Sequence, residues 1–267
     1  TTKEQKMDRT KGIGGSDAKK IVDGSWHELW LEKTSRKEQD DLSEILAVQI
    51  GIATETLNLD WLQKILVKEK HQHTQIKRDV TLEPKEFMMS HLDGYIEDAN
   101  IVVEAKHTYE HNNLLNVAEY YYPQLQHYMM HSGASETYLT VFFGNRSHDW
   151  TSIESDPEFQ QTLYKAEMAF WKYVQEDKEP TQFMQPIEQP KEIKLDGMRT
   201  LDMTDHKEMN SLIESLQQVK PYVAKHKEIV TDIKSLVPDD CRKAIGNGIV
   251  LSRSKKGTLT LRESLGE

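Results

Sequence analysis

Cysteine is nearly missing: Cys241 stands alone in 267 residues, which excludes an internal disulfide framework and fits a reducing compartment. Long apolar runs are missing too. Nothing approaches the roughly 20 consecutive apolar residues that span a bilayer. The amino terminus is polar rather than signal-like, so a cytoplasmic protein with no membrane association is expected. A basic excess is also absent, since 34 Lys and Arg stand against 44 Asp and Glu, a formal charge of −10. That excludes a protein that coats DNA with a uniformly basic surface. It leaves room for an acidic enzyme with a local basic track, because excess acid elsewhere limits non-specific contact. There is no repeat at solenoid periods and no low-complexity tract.

What is present, 37% apolar and 29% charged residues, suffices for one sizeable α/β core with a small appendage. Gly12-Ile13-Gly14-Gly15-Ser16-Asp17 predicts a flexible turn, with Ser16 capping a short helix to about Asp23, and Trp26 to Glu32 a further helical turn or two. From Asp41 to Lys68, Leu42, Ile45, Leu46, Ile50, Ala53, Leu57, Trp61, Ile65 and Leu66 recur at three and four, the spacing of a long amphipathic helix whose apolar face meets a sheet. Strands are predicted over His73–Leu82 and Phe87–Ile96 and at Ile101-Val102-Val103, with turn signals at Asp93-Gly94 and Asn100. A helix over Tyr121–His131 with Pro123 in its first turn, a hairpin over Glu136–Phe143 and Ser147–Ile153, and a helix over Pro157–Glu176 complete a mixed α/β pattern. These elements assign residues 1–180 to the core. Residues 181–203, rich in Pro, Gln and Lys, read as a linker, and 204–267 as an extension. The extension holds a long helix from Thr204 to Leu236, with Pro221 as a point of interruption, and a hairpin over Ile249–Ser252 and Thr258–Leu261. Its Leu212, Ile213, Leu216, Val219 and Val223 form an apolar stripe suited to a packed cover or to self-association.

The chemistry centres on Asp93-Gly94 and Ile101-Val102-Val103-Glu104-Ala105-Lys106. Carboxylates at the end of two adjacent strands converge on one hard cation such as Mg²⁺, which takes oxygen ligands. Mn²⁺ accepts the same donors. Lys106, two residues beyond Glu104, shares its face by strand alternation. A cation held there polarises a phosphate and acidifies a bound water, while the ammonium orients that water or stabilises developing charge. Acid-x-Lys alone is common in so charged a chain, as at Asp17-Ala18-Lys19 and Asp232-Ile233-Lys234. Only Glu104 has both a β-branched lead-in and an Asp-Gly one hairpin upstream.

Five elements in order then resemble the YqaJ-like phage recombinases, relatives of lambda exonuclease. They are Arg9-Thr10-Lys11-Gly12-Ile13-Gly14-Gly15-Ser16-Asp17, Gly51-Ile52-Ala53-Thr54-Glu55, His91-Leu92-Asp93-Gly94, Val103-Glu104-Ala105-Lys106 and Tyr122-Pro123-Gln124-Leu125-Gln126-His127-Tyr128. The resemblance implies a PD-(D/E)XK restriction-endonuclease-like core, a mixed central sheet flanked by helices, with the helix and β-hairpin extension appended. It implies Asp93, Glu104 and the Ala105 carbonyl as metal ligands, Lys106 as the catalytic lysine, and Glu55 as an acid for a second ion or a water. Gln124 is implied as an assisting residue, and Arg9 and Ser16 as receivers of a DNA 5′-phosphate. The implied reaction is 5′-to-3′ digestion of one strand of linear duplex DNA, leaving a 3′ overhang. The implied partners are duplex ends, two further copies in a homotrimeric ring and a single-strand annealing protein, in a phage- or prophage-encoded system.

The pattern departs from the family at Ser90-His91-Leu92, before the metal Asp, and His107 follows the lysine, where a strand-end role is expected. Other readings stay open: an endonuclease or RecB-like nuclease of the same fold, a non-catalytic DNA-binding module, and a zinc enzyme using His127 and His131 one helical turn apart.

Overall fold

The computed structural model describes the chain except residues 1–8, 38–40, 70, 72, 182–183, 191–192, 194, 196–202 and 264–267 and the side chain of Arg9. It resolves two compact units, residues 1–199 and 200–267.

The first unit is built on a five-stranded sheet with the strands in sequence order: β1 Lys77–Thr81, β2 His91–Ile96, β3 Ile101–Thr108, β4 Glu136–Phe143 and β5 Ser147–Glu154. Adjacent strands run antiparallel except β3 and β4, which pair in parallel from Ile101 opposite Glu136 to Thr108 opposite Phe143. A parallel pair needs a long crossover, and α4, Leu114–Ser132, supplies it. On one face α3, Leu46–Lys68, sets Leu59, Leu62 and Leu66 against Ile76, Ile96, Ile101 and Val103. On the other, α4 sets Leu114, Val117, Ala118 and Leu125 against Leu139, Val141 and Phe143. α1 (Gly15–Val22) and α5 (Pro157–Gln175) join that layer through Ala18, Val22, Phe159 and Leu163. α2, Trp26–Lys33, packs Trp26 edge-on to Phe170 of α5.

Several expectations change. The buried stripe of α3 is Asn58, Leu59, Leu62 and Leu66, whereas Ile50, Leu57 and Trp61 remain exposed. The helix is apolar on several sides, so spacing alone does not choose the face that meets the sheet. α4 starts seven residues before Tyr121, where Asn113 accepts the Asn116 amide and Leu114, Val117 and Ala118 are buried, so Pro123 sits inside the helix rather than in its first turn. Asp93-Gly94 lies within β2 and is not a turn. Gly94 is there for space: a Cβ on it would lie 2.7 Å from Ile76 Cγ2 and 3.1 Å from Val103 Cβ. Within the stretch read as a linker, the Ile187 amide donates to the Val22 carbonyl and Ile193 and Leu195 are buried in the first unit's core.

In the second unit α6, Lys207–Ser235, runs unbroken through Pro221. The predicted hairpin, β7 Ile249–Arg253 with β8 Leu259–Glu263, gains a third strand, β6 Lys243–Gly246. The turn joining β6 to β7 is Asn247-Gly248, with φ of 46° and 77°, a pair that favours such tight hairpins.

Gly94→Ala forces a methyl group into occupied space, and overpacking of this kind costs about 1–3 kcal/mol. Urea unfolding of the variant is expected to shift to a lower midpoint with an unchanged slope.

Candidate active site

β2 and β3 bring the two acids together. The Asp93 carboxylate accepts the Ala105 backbone N–H at 2.9 Å, which fixes it beside the next strand. Glu104, at the buried end of a Val-rich run, is 1% exposed. Its Oε1 accepts from the Lys106 ammonium at 2.6 Å and from the Gln124 side-chain amide at 2.6 Å. The same amide donates to the Tyr128 hydroxyl at 3.0 Å, one turn further along α4. Lys106 also lies over the Tyr121 ring, 4.5 Å from its centre. Glu104 Oε2 is buried and has no donor.

The electrostatics follow from burial and crowding. Burial, then the Asp93 charge, push the Glu104 carboxyl up to about 8, against the opposing pull of Lys106. For Lys106 burial acts downward, but the Glu104 and Asp93 carboxylates outweigh it and hold the ammonium charged. Glu55, on α3, is raised by burial and then by Asp93, with Lys106 opposing, so it belongs to the same charge cluster. Asn58, one turn on, donates to the Lys106 carbonyl at 2.9 Å and to the Thr140 carbonyl at 3.2 Å, and accepts from the Thr140 hydroxyl at 2.7 Å. That anchors the α3 segment carrying Glu55 to β3 and β4. His107, as a late β3 residue, bonds Thr54 of α3 at 3.0 Å.

The glycine-rich start of α1 lies against the same helix residues. A Cβ on Gly15 would sit 2.5 Å from the Tyr128 ring and 2.9 Å from Gln124 Cγ, so only glycine permits this approach. The turn is fastened by Asp17 and Lys33, both buried: Lys33 donates to the Asp17 carboxylate at 2.5 Å and to the Gly12 carbonyl at 2.7 Å, and Asp17 accepts the Gly14 amide at 2.8 Å. Gly14, not Ser16, occupies the cap position, since this carboxylate takes the amide there; Ser16 lies in the first turn. The Arg9 side chain lies outside the described residues.

The residues fit a divalent cation on one observation, the buried Glu104 Oε2 left without a donor beside a second carboxylate. The donors are oxygens, which suits a hard ion. Among the described residues no group of three or more His, Cys, Asp or Glu side chains is gathered to hold a metal. The zinc reading loses its donors. His127 engages Glu167 at 2.8 Å and the Met89 carbonyl at 3.2 Å, and His131 engages Ser90 at 2.8 Å and the Glu83 carbonyl at 3.0 Å.

Residues 5–135 match the family of the YqaJ-like viral recombinase domain. The uncharacterized protein YqaJ of Bacillus subtilis (strain 168) is 30% identical over 176 residues, 62% of this chain and 54% of that protein, so the chain spans about half the length of this relative. Among solved structures, a phage related exonuclease from Haemophilus somnus 129PT is 12% identical, with a TM-score of 0.50 over 62% of this chain and 94% of that one. An alkaline exonuclease from Laribacter hongkongensis is 14% identical, with a TM-score of 0.47 over 63% and 90%. The five-stranded mixed sheet between helices is the PD-(D/E)XK-type fold expected from the sequence, and the phage related exonuclease shares that fold.

Tyr128, Tyr121, Asn58 and Lys33 enter the site without having been singled out in the sequence. Tyr128 was within reach, one helical turn from Gln124. The other three depend on which elements meet in space.

The buried His127–Glu167 pair gives a pH signature. Burial alone lowers the His127 pKa, but the Glu167 carboxylate and then the Met89 carbonyl raise it, and the net shift is upward. Its stability contribution is therefore complete below the unfolded value of about 6.5 and is lost as pH rises through the higher folded value. Removing one partner of a buried pair costs about 3 kcal/mol. His127→Gln is expected to lower the melting temperature most at pH 6 and progressively less at higher pH.

Proposed function

We propose that this chain is a divalent-metal-dependent DNA exonuclease that digests one strand of linear duplex DNA from its 5′ end and leaves a 3′ single strand. The observation that carries the reading is the donor-less Glu104 oxygen beside Asp93, with a charged Lys106 on the other oxygen of the same carboxylate. The fold shared with a phage related exonuclease supports it. Mg²⁺, or Mn²⁺ with the same ligand preference, bound by Asp93, Glu104 and the Ala105 carbonyl supplies charge neutralisation at the scissile phosphate and acidifies water.

The chain's own groups do the rest. Lys106 stays an ammonium and so acts by charge, orienting the attacking water and stabilising the phosphate in the transition state rather than taking a proton. Gln124 fixes the Glu104 rotamer, leaving Oε2 toward the ligand position. Glu55 is placed to hold a second ion or the water. The amino end of α1, with Ser16 in its first turn and Arg9 just upstream in sequence, is the proposed receiver of the 5′-phosphate, since the positive end of a helix and a guanidinium both suit phosphate. A homotrimeric ring around DNA, an annealing-protein partner and action in the cytoplasm of a bacterial host complete the reading, all three on the resemblance.

The deciding experiment digests linear duplexes labelled at either the 5′ or the 3′ end, with and without Mg²⁺, beside a closed circle. Metal-dependent release of the 5′ label with the circle intact is expected. A nicked circle supports an endonuclease, and no cleavage with Mg²⁺ or Mn²⁺ supports a binding module. Lys106→Ala is expected to lower the cleavage rate by about 1000-fold while DNA affinity in a gel-shift assay stays within a few-fold of the parent. Glu104→Gln is expected to abolish the rise in melting temperature that Mg²⁺ gives the parent protein, since only a ligand of the folded state stabilises it.

A further inference from the structure

In a chain of formal charge −10, one stretch reverses the sign: residues 241–262 hold six Lys and Arg and no Asp or Glu. They form the three-stranded sheet of the second unit, and the strand pairing sorts them by face. Paired residues of neighbouring strands point to the same side, and successive residues of one strand to opposite sides. One side therefore carries Ala244, Ile249, Leu251, Leu259 and Leu261, of which Leu251 is buried and the others half-buried. The other carries two rows, Lys243–Ser252–Thr260 and Ile245–Val250–Arg262, exposed except for the half-buried Val250. Arg253 belongs to the covered side and is spent there. Its guanidinium donates to the carbonyls of Val237, Pro238, Cys241 and Gly257 at 3.0 to 3.2 Å and pairs with Asp239 at 3.7 Å. This fastens the turn that bears Lys255 and Lys256, which is closed by the Ser254 amide donating to the Thr258 carbonyl at 2.9 Å. Arg242, Lys243, Lys255, Lys256 and Arg262 are exposed, and among the described residues none of the five is in an ion pair. Glu263, the next acid along the chain, alternates onto the covered side.

We propose that the exposed side of this sheet, with the Lys255-Lys256 turn, is a second DNA-binding surface that grips the phosphate backbone of duplex DNA without reading its sequence. Charge complementarity chooses the occupant. Duplex DNA carries about one negative charge per 1.7 Å of its axis, and each Lys or Arg that meets a phosphate releases condensed counterions. Hydroxyls such as those of Ser252 and Thr260 are common donors to phosphate oxygens. A single strand is the poorer fit, because its bases are held by stacking on aromatic rings, and no aromatic residue follows Tyr222. The turn presents its lysines on a backbone already fixed by hydrogen bonds, so little order is lost when they meet the DNA. The proposal takes its DNA substrate from the nuclease reading and uses nothing of the Asp93 centre.

The test titrates the full chain, without divalent metal, into a fluorescent duplex whose two ends are closed by hairpin loops, so that phosphates are on offer but no strand end is. Anisotropy is followed between about 50 and 200 mM salt. The parent is expected to bind and to lose affinity steeply as salt rises. Lys243→Gln, Lys255→Gln, Lys256→Gln and Arg262→Gln combined are expected to weaken binding at the lowest salt by about 10-fold or more, and to make the slope of log affinity against log salt shallower by about 2 to 4. Lys243→Arg, Lys255→Arg and Lys256→Arg combined keep the charge and are expected to keep both affinity and slope. An unchanged affinity and slope in the glutamine variant, with a melting curve like the parent's, overturns the proposal, as does a parent that fails to bind the closed duplex. A dT single strand that binds more tightly than the duplex and loses more on substitution overturns the choice of duplex. Substitution-sensitive binding to anionic lipid vesicles, with none to the duplex, makes the surface a membrane contact and overturns it as well. None of these readouts involves cleavage. A parent that binds the closed duplex but cuts no linear DNA with Mg²⁺ or Mn²⁺ overturns the nuclease reading and leaves this surface standing.

Discussion

A carboxylate buried with more lone pairs than donors organises the first unit. Glu104 is almost fully enclosed, receives an ammonium and an amide on one oxygen and nothing on the other, and stands beside Asp93. Such a group costs several kcal/mol unless its charge is answered. The surrounding structure answers half of it, through Lys106 from the same strand and Gln124 from α4, and leaves the other oxygen without a donor. Many of the contacts around the centre hold this unfinished arrangement in place. Asn58 pins α3 to the backbone of Lys106 and Thr140, and Gly15 lets the amino end of α1 press against Tyr128 and Gln124. His127 and His131 grip Met89 and Ser90, the residues leading into the Asp93 strand.

The same unit shows what a linear sequence makes legible. β3 was readable because a β-branched run ends in Glu-Ala-Lys, and the hairpin of β4 and β5 because two β-rich stretches flank a short turn. The acid pair was readable from spacing, as Asp93 and Glu104 lie one short hairpin apart. Gln124 and Glu55 came from resemblance to a family and from nothing in their local pattern, whereas the glycine-rich start of α1 was also readable as a turn opening a short helix. The buried face of α3 was misread because leucine and isoleucine surround that helix, and only the sheet beneath decides that Leu59, Leu62 and Leu66 turn inward. Asp93-Gly94 resembles a turn signal, yet its glycine answers a steric demand made by Ile76 and Val103, residues distant in sequence. Lys33 illustrates the limit. An amphipathic helix with a lysine near its end predicts a solvated charge, and nothing nearby announces that this one is buried against Asp17.

The two units divide their apolar surface differently. The first encloses its large side chains between a sheet and two layers of helix. In the second, a small three-stranded sheet accompanies a helix whose regularly spaced apolar side chains, among them Leu212, Leu216 and Val219, are exposed.

The parallel pairing of β3 with β4 also bears on when the site comes into being. The crossover through α4 must close before these strands register, and loops of this kind close late because their entropy is spent before their contacts form. Gln124 and Tyr128 travel on that crossover. A chain still emerging from the ribosome can form the β2–β3 hairpin with Asp93, Glu104 and Lys106 in place, yet it lacks the amide that sets the Glu104 rotamer and the helix that shuts out water. The buried arrangement around Glu104 is therefore complete only when the whole core is.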